Sequence, residues 1–284
     1  MQQLKLIECP RDAMQGWKTF IPTQQKIDYI NQLLKVGFDT IDFGSFVSPK
    51  IIPQMADTKE VVEKLDTQNT DTKLLAIIAN VRGAEDAASF EKITYLGFPF
   101  SISPTFQIRN TNSTITESME RVKEIIHICD KNEKIPVIYI SMAFGNPYGD
   151  EYNEDIVLDW IRKLTGEGIQ IISLADTVGL AHTSQVSSLV KKVVTEFPDI
   201  ETGVHLHSTS ANWKEKIEAA LQNGCRRFDG ALKGFGGCPM AEDELVGNMN
   251  SELMIPYFRQ LGFLQNIQEE ALITAGEMAS KTFV

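Results

Sequence analysis

Two histidines separated by one residue, His205 and His207, are the side chains in this 284-residue sequence best suited to hold a metal. They lie in residues 201–207, an apolar and β-branched stretch that predicts a strand. Side chains two positions apart on a strand point to the same face, so the two imidazoles would lie side by side. Paired neutral imidazoles suit a divalent metal. The alternative is a pair of polar residues that merely ends an exposed strand.

Other polar side chains that follow predicted strands would complete such a site. Asp12 and an amide oxygen of Asn248 would join the two histidines in a shell of nitrogen and oxygen ligands. With open positions left for a substrate, this shell favours Mg²⁺ or Mn²⁺, which can chelate a hydroxyl and a carbonyl together. Arg11 would bring a permanent positive charge toward a developing oxyanion. Asp42 is a candidate proton shuttle or a partner of another site residue.

Cys238 lies in a Gly-Gly-Cys-Pro stretch that is too rich in glycine to form a stable strand or helix. A flexible loop of this kind can close over a site and deliver a thiol as an acid or base. The alternative is a small apolar residue in a tight turn. Cys9, Cys129 and Cys225 are expected to pack inside the protein, and a chain of this size needs no disulfide framework.

Short apolar runs alternate with amphipathic segments along the chain, which predicts an α/β fold, the (β/α)8 or TIM barrel. A doubly wound open sheet is the alternative, but no glycine-rich turn follows the first predicted strand. Residues 242–284 predict additional C-terminal helices, and the lack of a linker predicts a single domain over 1–284. The predicted strands are 4–9, 40–44, 73–78, 92–96, 136–142, 169–175, 201–207 and 226–229; the predicted helices are 23–35, 58–65, 115–131, 154–165, 183–196 and 211–222.

The composition narrows the class of partner. A formal net charge of −11 argues against nucleic acid, because binding phosphates needs a basic face. The first residues contain no apolar signal segment, and no run approaches the length needed to cross a membrane. We therefore expect a soluble, cytoplasmic protein that binds neither nucleic acid nor a membrane.

Several motifs together resemble the 3-hydroxy-3-methylglutaryl-CoA lyase family, in order and over nearly the whole chain. The combination of Arg-Asp with His-x-His occurs across a wider superfamily of metal-dependent aldolases and Claisen-condensing enzymes. The Ser-Phe-Val-Ser-Pro-Lys segment and the Gly-Gly-Cys-Pro loop are much more specific to the lyases. The motifs are Pro-Arg-Asp-Ala-Met-Gln at 10–15, Ser-Phe-Val-Ser-Pro-Lys at 45–50, Pro-Gln-Met-Ala-Asp at 53–57, Asp-Thr-Val-Gly at 176–179, Val-His-Leu-His at 204–207 and Gly-Phe-Gly-Gly-Cys-Pro-Met-Ala at 234–241.

The resemblance implies a barrel metalloenzyme that cleaves 3-hydroxy-3-methylglutaryl-CoA to acetyl-CoA and acetoacetate, in leucine breakdown and ketone-body formation. It implies that Arg11 steadies the thioester oxygen as an enolate forms and that Cys238 is the catalytic thiol of a mobile loop. It also implies an acyl-CoA substrate and, by analogy with such barrels, a homodimer or higher homo-oligomer. The implied metal ligands are Asp12, His205, His207 and Asn248; the implied acyl-pocket residues are Gln15, Ser45, Ser173 and Asp176.

The sequence also departs from the family pattern. The family commonly has Gly where Ala13 stands, Glu at the position of Asp42, and Asp where Ser208 follows the second histidine. Asn146 replaces a family Cys, and Met240 replaces a common aromatic residue. Because the metal ligands are intact, these departures bear on substrate identity and rate more than on reaction type.

Two other functions stay open. One is a condensing enzyme related to isopropylmalate or homocitrate synthase, although such enzymes lack the Gly-Gly-Cys-Pro loop and typically carry a further C-terminal region. The other is a non-catalytic or weakly active homologue that binds acyl-CoA, and the departures at Asp42 and Ser208 are the features that keep it open. A lyase that acts on another 3-hydroxyacyl-CoA is a variant of the main prediction.

Overall fold

Eight parallel strands close into a barrel in the computed structural model, which describes residues 3–236 and 247–283. Each strand pairs with the next along the chain, and the last pairs with the first, as in a TIM barrel. A two-residue strand, β8 (His207–Ser208), pairs antiparallel with β10 (Gly247–Asn248) above the barrel. The barrel strands are β1 (Lys5–Glu8), β2 (Thr40–Ser45), β3 (Lys73–Ile77), β4 (Ile93–Ser101), β5 (Ile135–Ser141), β6 (Ile171–Ala175), β7 (Glu201–His205) and β9 (Arg227–Gly230).

Helices occupy the connections between strands, and two more follow the barrel at the C-terminal end. This arrangement confirms the predicted (β/α)8 fold with additional C-terminal helices. In the described residues, no helix combines the length and the apolar character that crossing a membrane requires. The helices are α1 (Pro10–Gln15), α2 (Thr23–Leu34), α3 (Thr58–Lys64), α4 (Val81–Ala88), α5 (Pro104–Thr111), α6 (Ile115–Lys131), α7 (Glu154–Gly166), α8 (Thr183–Glu196), α9 (Trp213–Gln222), α10 (Ser251–Gln260) and α11 (Glu269–Thr282).

The fourth strand is longer than its sequence pattern predicts. The prediction ends at residue 96, whereas β4 continues through Gly97 and Pro99 to Ser101. Glycine and proline usually interrupt strands. Here Pro99 stays in register opposite Tyr139 of β5, inside a ladder that runs the length of both strands. The short helices α1, α4 and α5, of six to eight residues, have no counterpart among the predicted helices.

The apolar core lies mainly between the barrel and its helices. Helix α6 shows how the sequence produces it: Met119, Val122, Ile125 and Cys129 recur at helical spacing and are buried on one face. Its start is fixed by a capping box, in which Thr114 exchanges hydrogen bonds with Glu117. The described cysteines, Cys9, Cys129 and Cys225, are buried free thiols, as predicted. Cys238 lies outside the described residues.

The inside of the barrel holds a buried arginine. Arg227 on β9 has no exposed surface, and its Nη1 donates to Oε1 of Glu201 at 3.0 Å. Its guanidinium lies 5.6 Å from the centre of the Tyr95 ring. The neighbouring residue on β7 is Gly203, and a Cβ there would lie 2.9 Å from Cδ of Arg227. The stem of the arginine therefore fills the space that a side chain at position 203 would need.

Candidate active site

The first part of the site is the short helix α1, which begins directly after β1. Pro10 supplies a preset φ at the first helical position, so the chain turns into the helix as it leaves the barrel. Arg11 and Asp12 follow, and both are almost fully buried at the barrel mouth. Nη1 of Arg11 donates to Oδ1 of Asp12 at 3.0 Å and to Oε1 of Gln15 at 2.8 Å. Gln15 in turn donates to Oδ1 of Asp12 at 2.8 Å.

Asp42 on β2 holds the other side of the Arg11 guanidinium. Its carboxylate accepts from Nε of Arg11 at 3.0 Å and from Nη2 at 2.5 Å. Burial raises the pKa of Asp42 to about 6, although the charge of Arg11 acts in the opposite direction. The two groups form a buried ion pair whose planar geometry fixes the arginine.

The two histidines meet Asp12 at one point of the barrel mouth. One donor atom from each of Asp12, His205 and His207 lies within 4.8 Å of the others. The imidazole centres are 5.4 Å apart. The predicted strand is divided here, because His205 ends β7 of the barrel and His207 begins the short β8. The two side chains still reach the same site.

Asp229, at the end of the last barrel strand, fixes the orientation of His205. Its Oδ2 lies 3.1 Å from Nδ1 of His205, and its carboxylate is buried. Burial acts to lower the pKa of His205, but the hydrogen bond and charge of Asp229 raise it overall. A carboxylate on Nδ1 places the proton there and leaves Nε2 as a lone-pair donor, the usual arrangement behind a metal-binding histidine.

Asn248 approaches Asp12 from the far end of the chain. Its position on β10 is set by pairing with β8, where it lies opposite His207. Its Nδ2 donates to Oδ2 of Asp12 at 2.7 Å and to the carbonyl of Phe235 at 2.9 Å. A Cβ on Gly236 would lie 2.6 Å from this Nδ2, so only glycine allows the approach. The amide nitrogen, rather than the oxygen, faces Asp12, and direct ligation by the oxygen stays a prediction.

The donor atoms fit a divalent cation. Nε2 of His207 is buried and has no hydrogen-bond partner in the described part of the chain. Burial and the neighbouring His205 lower the pKa of His207 to about 4, so its ring is neutral near pH 7. Burial acts to raise the pKa of Asp12, but Arg11 and the histidines lower it overall, so Asp12 is ionised. A carboxylate and two imidazoles are suitable ligands for Mn²⁺, Mg²⁺ or Zn²⁺.

A second group of possible ligands lies just below the first. Donor atoms of Cys9, His205 and Asp229 are also within 4.8 Å of one another. Burial raises the pKa of the Cys9 thiol well above its usual range, which disfavours the thiolate that a metal requires. The Asp12 group, which opens to the cavity, is the better candidate.

A cavity of about 170 Å³ opens above these residues. One side is polar and the other is apolar, so the cavity suits a ligand that has both characters. The polar side includes Arg11, Asp12, Gln15, His205 and His207. The apolar side includes Val47, Ile52, Ile77, Pro99 and Phe106.

Three residues assigned to the acyl pocket lie outside the lining of this cavity. Ser45 lines a neighbouring cavity of about 360 Å³. Ser173 is fully buried in β6, two residues below Ala175, which does line the cavity. The carboxylate of Asp176 accepts from Nζ of Lys216 at 2.9 Å and from the backbone of Ala181 at 3.0 Å. Only Gln15 of the four lies on the cavity wall in the described structure.

Two site residues have no counterpart in the sequence-based prediction. Lys216 is buried on α9, and its Nζ donates to Asp176 and, at 2.7 Å, to the carbonyl of His207. A lysine on an otherwise apolar helix face was the signal that could have indicated it. Asp229 ends a predicted strand, as several of the candidate site residues do, and that position is the signal that could have indicated it.

The sequence matches the HMGL-like family over residues 4–278. The chain belongs to the HMGL-like family. Among curated members, it is 33% identical over 284 residues to the cytoplasmic 3-hydroxy-3-methylglutaryl-CoA lyase of Mus musculus, covering 99% of this chain and 81% of the relative. It is 32% identical over 268 residues to a hydroxymethylglutaryl-CoA lyase of Bacillus subtilis, covering 94% and 89%.

Solved structures agree with this membership. The fold matches an HMG-CoA lyase of Bacillus subtilis with a TM-score of 0.92 and 30% identity, over 99% of this chain and 94% of that one. It matches an HMG-CoA lyase of Acinetobacter baumannii, in complex with coenzyme A and 3-methylmalate, with a TM-score of 0.91 and 32% identity, over 99% and 91%. This HMGL-like protein is a carbon–carbon lyase, in agreement with the sequence-based prediction.

Proposed function

We propose that this protein is a divalent-metal-dependent lyase that cleaves (S)-3-hydroxy-3-methylglutaryl-CoA to acetyl-CoA and acetoacetate. The observation that carries the proposal is the convergence of Asp12, His205 and His207 in a cavity that Arg11 also lines. The coenzyme A complex of the Acinetobacter lyase supports an acyl-CoA substrate.

Asp12, His205 and His207 would hold the cation, with the amide of Asn248 as the fourth ligand. An oxygen and nitrogen donor set with positions left for substrate favours Mg²⁺ or Mn²⁺. When bound, the cation would chelate the substrate's hydroxyl and a neighbouring carbonyl and make the hydroxyl more acidic. Asp229 keeps His205 turned toward the site through the 3.1 Å contact with Nδ1.

Cleavage breaks the bond between C2 and C3 of the acyl group. The C3 hydroxyl passes its proton to solvent water, and the electron pair of its O–H bond forms the ketone of acetoacetate. The electron pair of the broken bond passes to the thioester, which becomes an enolate. Arg11 stabilises the negative charge on the enolate oxygen, which is the former thioester oxygen. Asp42 acts as a positioning residue, since its carboxylate holds two nitrogens of the guanidinium. We assign Asp42 this role in preference to that of a proton shuttle.

The enolate becomes acetyl-CoA when it takes up a proton at C2. We assign this proton to the thiol of Cys238, on the strength of the Gly-Gly-Cys-Pro motif. Gln15 would contact the acyl group from the cavity wall. Ser45, Ser173 and Asp176 keep their proposed part in substrate binding from the resemblance alone.

The deciding experiment incubates the purified protein with Mg²⁺ and 3-hydroxy-3-methylglutaryl-CoA. We expect acetoacetate and acetyl-CoA in equal amounts, no reaction after treatment with EDTA, and recovery when Mn²⁺ or Mg²⁺ is restored. Metal binding without turnover of any 3-hydroxyacyl-CoA would favour the acyl-CoA-binding homologue. Condensation of acetyl-CoA with a 2-oxo acid, in place of cleavage, would favour the synthase.

The proposed reaction has a cellular setting. We propose that residues 1–284 form one catalytic domain, that the protein acts in the cytoplasm in leucine degradation, and that it assembles as a homodimer or higher homo-oligomer. Size-exclusion chromatography with light scattering tests the assembly. A growth defect on leucine in a deletion strain tests the role in degradation.

A further inference from the structure

The buried carboxyl group of Glu8, which lies outside the cavity, connects β1 to two distant segments near the site, at Leu232 and at Ser251. Glu8 is the last residue of β1 and has no exposed surface. It shares a strand face with Leu4 and Leu6, which pack in the core between the barrel and the helices. Its side chain therefore points away from the substrate cavity. Along the chain, it stands four residues before Asp12.

Both oxygens of Glu8 are used by residues more than 220 positions away. Oε1 accepts from the backbone nitrogen of Leu232 at 2.7 Å, and Oε2 contacts Oγ of Ser251 at 2.5 Å. Leu232 lies just after β9, and Ser251 begins α10, three residues after Asn248. One side chain thus joins the end of the barrel and the start of the C-terminal helices to β1.

The two contacted segments are also joined to each other. The backbone nitrogen of Ala231 donates to the carbonyl of Met249 at 2.9 Å, and the nitrogen of Ser251 donates to the carbonyl of Ala231 at 3.2 Å. Asn248 is therefore held between this backbone pairing and its 2.7 Å contact with Asp12. A shift of the Ser251 segment would move Asn248 relative to Asp12.

A carboxyl group in this position needs a reason, because burying one costs far more than burying an apolar side chain of the same size. Burial raises the pKa of Glu8 to about 8, so the group is mostly neutral at pH 7. The oxygens of Glu8 accept from the backbone nitrogen of Leu232 and from the Ser251 hydroxyl. A neutral carboxyl can keep both contacts, because either oxygen of the Ser251 contact can carry the hydrogen. Both contacts are then satisfied without a buried charge.

We propose that Glu8 is a positioning residue that sets the place of Asn248 beside Asp12, and through it the geometry of the metal ligands. The inference rests on the proposed function, because that function gives Asp12 and Asn248 their role. Glu8 itself touches neither substrate nor cation. A purely structural role would change stability alone, whereas this role also changes metal affinity.

The test measures Mn²⁺ affinity by titration calorimetry on purified metal-free protein, with no substrate present. Glu8→Leu keeps the volume but makes neither contact, and we expect it to bind Mn²⁺ about tenfold or more weakly. Glu8→Gln has an amide that accepts from Leu232 and donates to Ser251, so we expect affinity within about twofold of wild type. Rescue by glutamine separates hydrogen bonding from charge.

Two further variants complete the design. Val122→Ala, a cavity-forming change on α6, controls for lost stability and should leave Mn²⁺ affinity unchanged. Ser251→Ala removes one contact and should weaken binding even if Glu8→Leu fails to fold. Wild-type protein that binds no Mn²⁺ would contradict the proposed function. Wild-type affinity in folded Ser251→Ala or Glu8→Leu protein would contradict only the role of Glu8.

Discussion

Arg11 is held by Asp42 through two nitrogens, Nε at 3.0 Å and Nη2 at 2.5 Å. The remaining terminal nitrogen, Nη1, is turned toward Asp12 and Gln15. The carboxylate that the sequence leaves as either shuttle or partner therefore already has a structural task. It determines which edge of the guanidinium faces the proposed metal and substrate.

Asp42→Asn should impair cleavage severely. The amide keeps the shape of the carboxylate but offers a single acceptor and no charge, so Arg11 loses its fixed orientation. Misplacement of a catalytic group by about 1 Å can cost about 10²-fold in rate, and we expect a fall in kcat of that size. Steady-state kinetics measure it. Glu201→Gln, which alters the ion pairs with Lys5 and Arg227 at the opposite end of the barrel, is the matched control.

Asp42→Glu tests the departure from the family residue. An added methylene would push the carboxylate into Arg11, so activity on 3-hydroxy-3-methylglutaryl-CoA should fall as well. Increased activity on that substrate would instead indicate that this protein has become adapted to another acyl-CoA.

His207→Ala should weaken Mn²⁺ or Mg²⁺ binding by about tenfold or more, because His207 supplies one of three convergent donor atoms. The fold should persist, since residues at the barrel mouth contribute more to chemistry than to stability. Calorimetric titration with Mn²⁺, together with circular dichroism, measures both effects. The exposed His127 provides a control through His127→Ala, and full metal affinity in His207→Ala protein would exclude His207 as a ligand.

Cys238→Ser should bind metal and substrate almost normally yet lose about 10²-fold in kcat, as expected for a missing proton donor. Iodoacetamide should inactivate the wild type through this thiol, and substrate should slow the reaction. Burial raises the pKa of the Cys129 and Cys225 thiols to about 12, so mass spectrometry should find little label there. Unchanged kcat in the serine variant would assign the proton to another group.

Glu8→Gln should alter the pH dependence of stability. The pKa of Glu8 rises from its ordinary 4.5 to about 8 on folding, so between these values the folded protein holds a proton that the unfolded chain has released. The contribution of this group to stability is therefore present at low pH and is lost as pH rises through that range. Denaturant unfolding at about pH 5 and about pH 8 should show wild type losing stability relative to the glutamine variant. A constant difference would contradict the prediction.

The barrel could be predicted from sequence because each strand and long helix has its own local pattern. The predicted helices 115–131 and 183–196 begin and end at the same residues as α6 and α8, because the capping residues and the apolar spacing indicate the same bounds. The predicted fourth strand ends too early, at residue 96, because glycine and proline, here Gly97 and Pro99, usually interrupt strands. In the structure, pairing with β5 overrides that preference. The convergence of Asp12, His205 and His207 could be predicted because residue type at strand ends is informative in this fold.

The supporting contacts of the site could not be predicted in this way. The Asp229 partner of His205 lies 24 residues away, and the Lys216 partner of Asp176 lies 40 residues away. Which buried polar groups meet depends on strand register and on the closing of the barrel, and no local spacing encodes either. In the sequence, Glu8 is an ordinary strand residue, because its partners Leu232 and Ser251 are also brought to it only by the closed barrel.

Gly203 and Arg227 should be inherited as a pair. A methyl group at 203 would lie 2.9 Å from the arginine stem, and a short residue at 227 would leave a void beside the glycine. An ancestor that carried a side chain at 203 must have had something smaller opposite, and neither change is tolerated well before the other. Alignment columns for these two positions should therefore co-vary. A larger residue at 203 combined with a smaller one at 227 should restore the stability that either substitution alone removes.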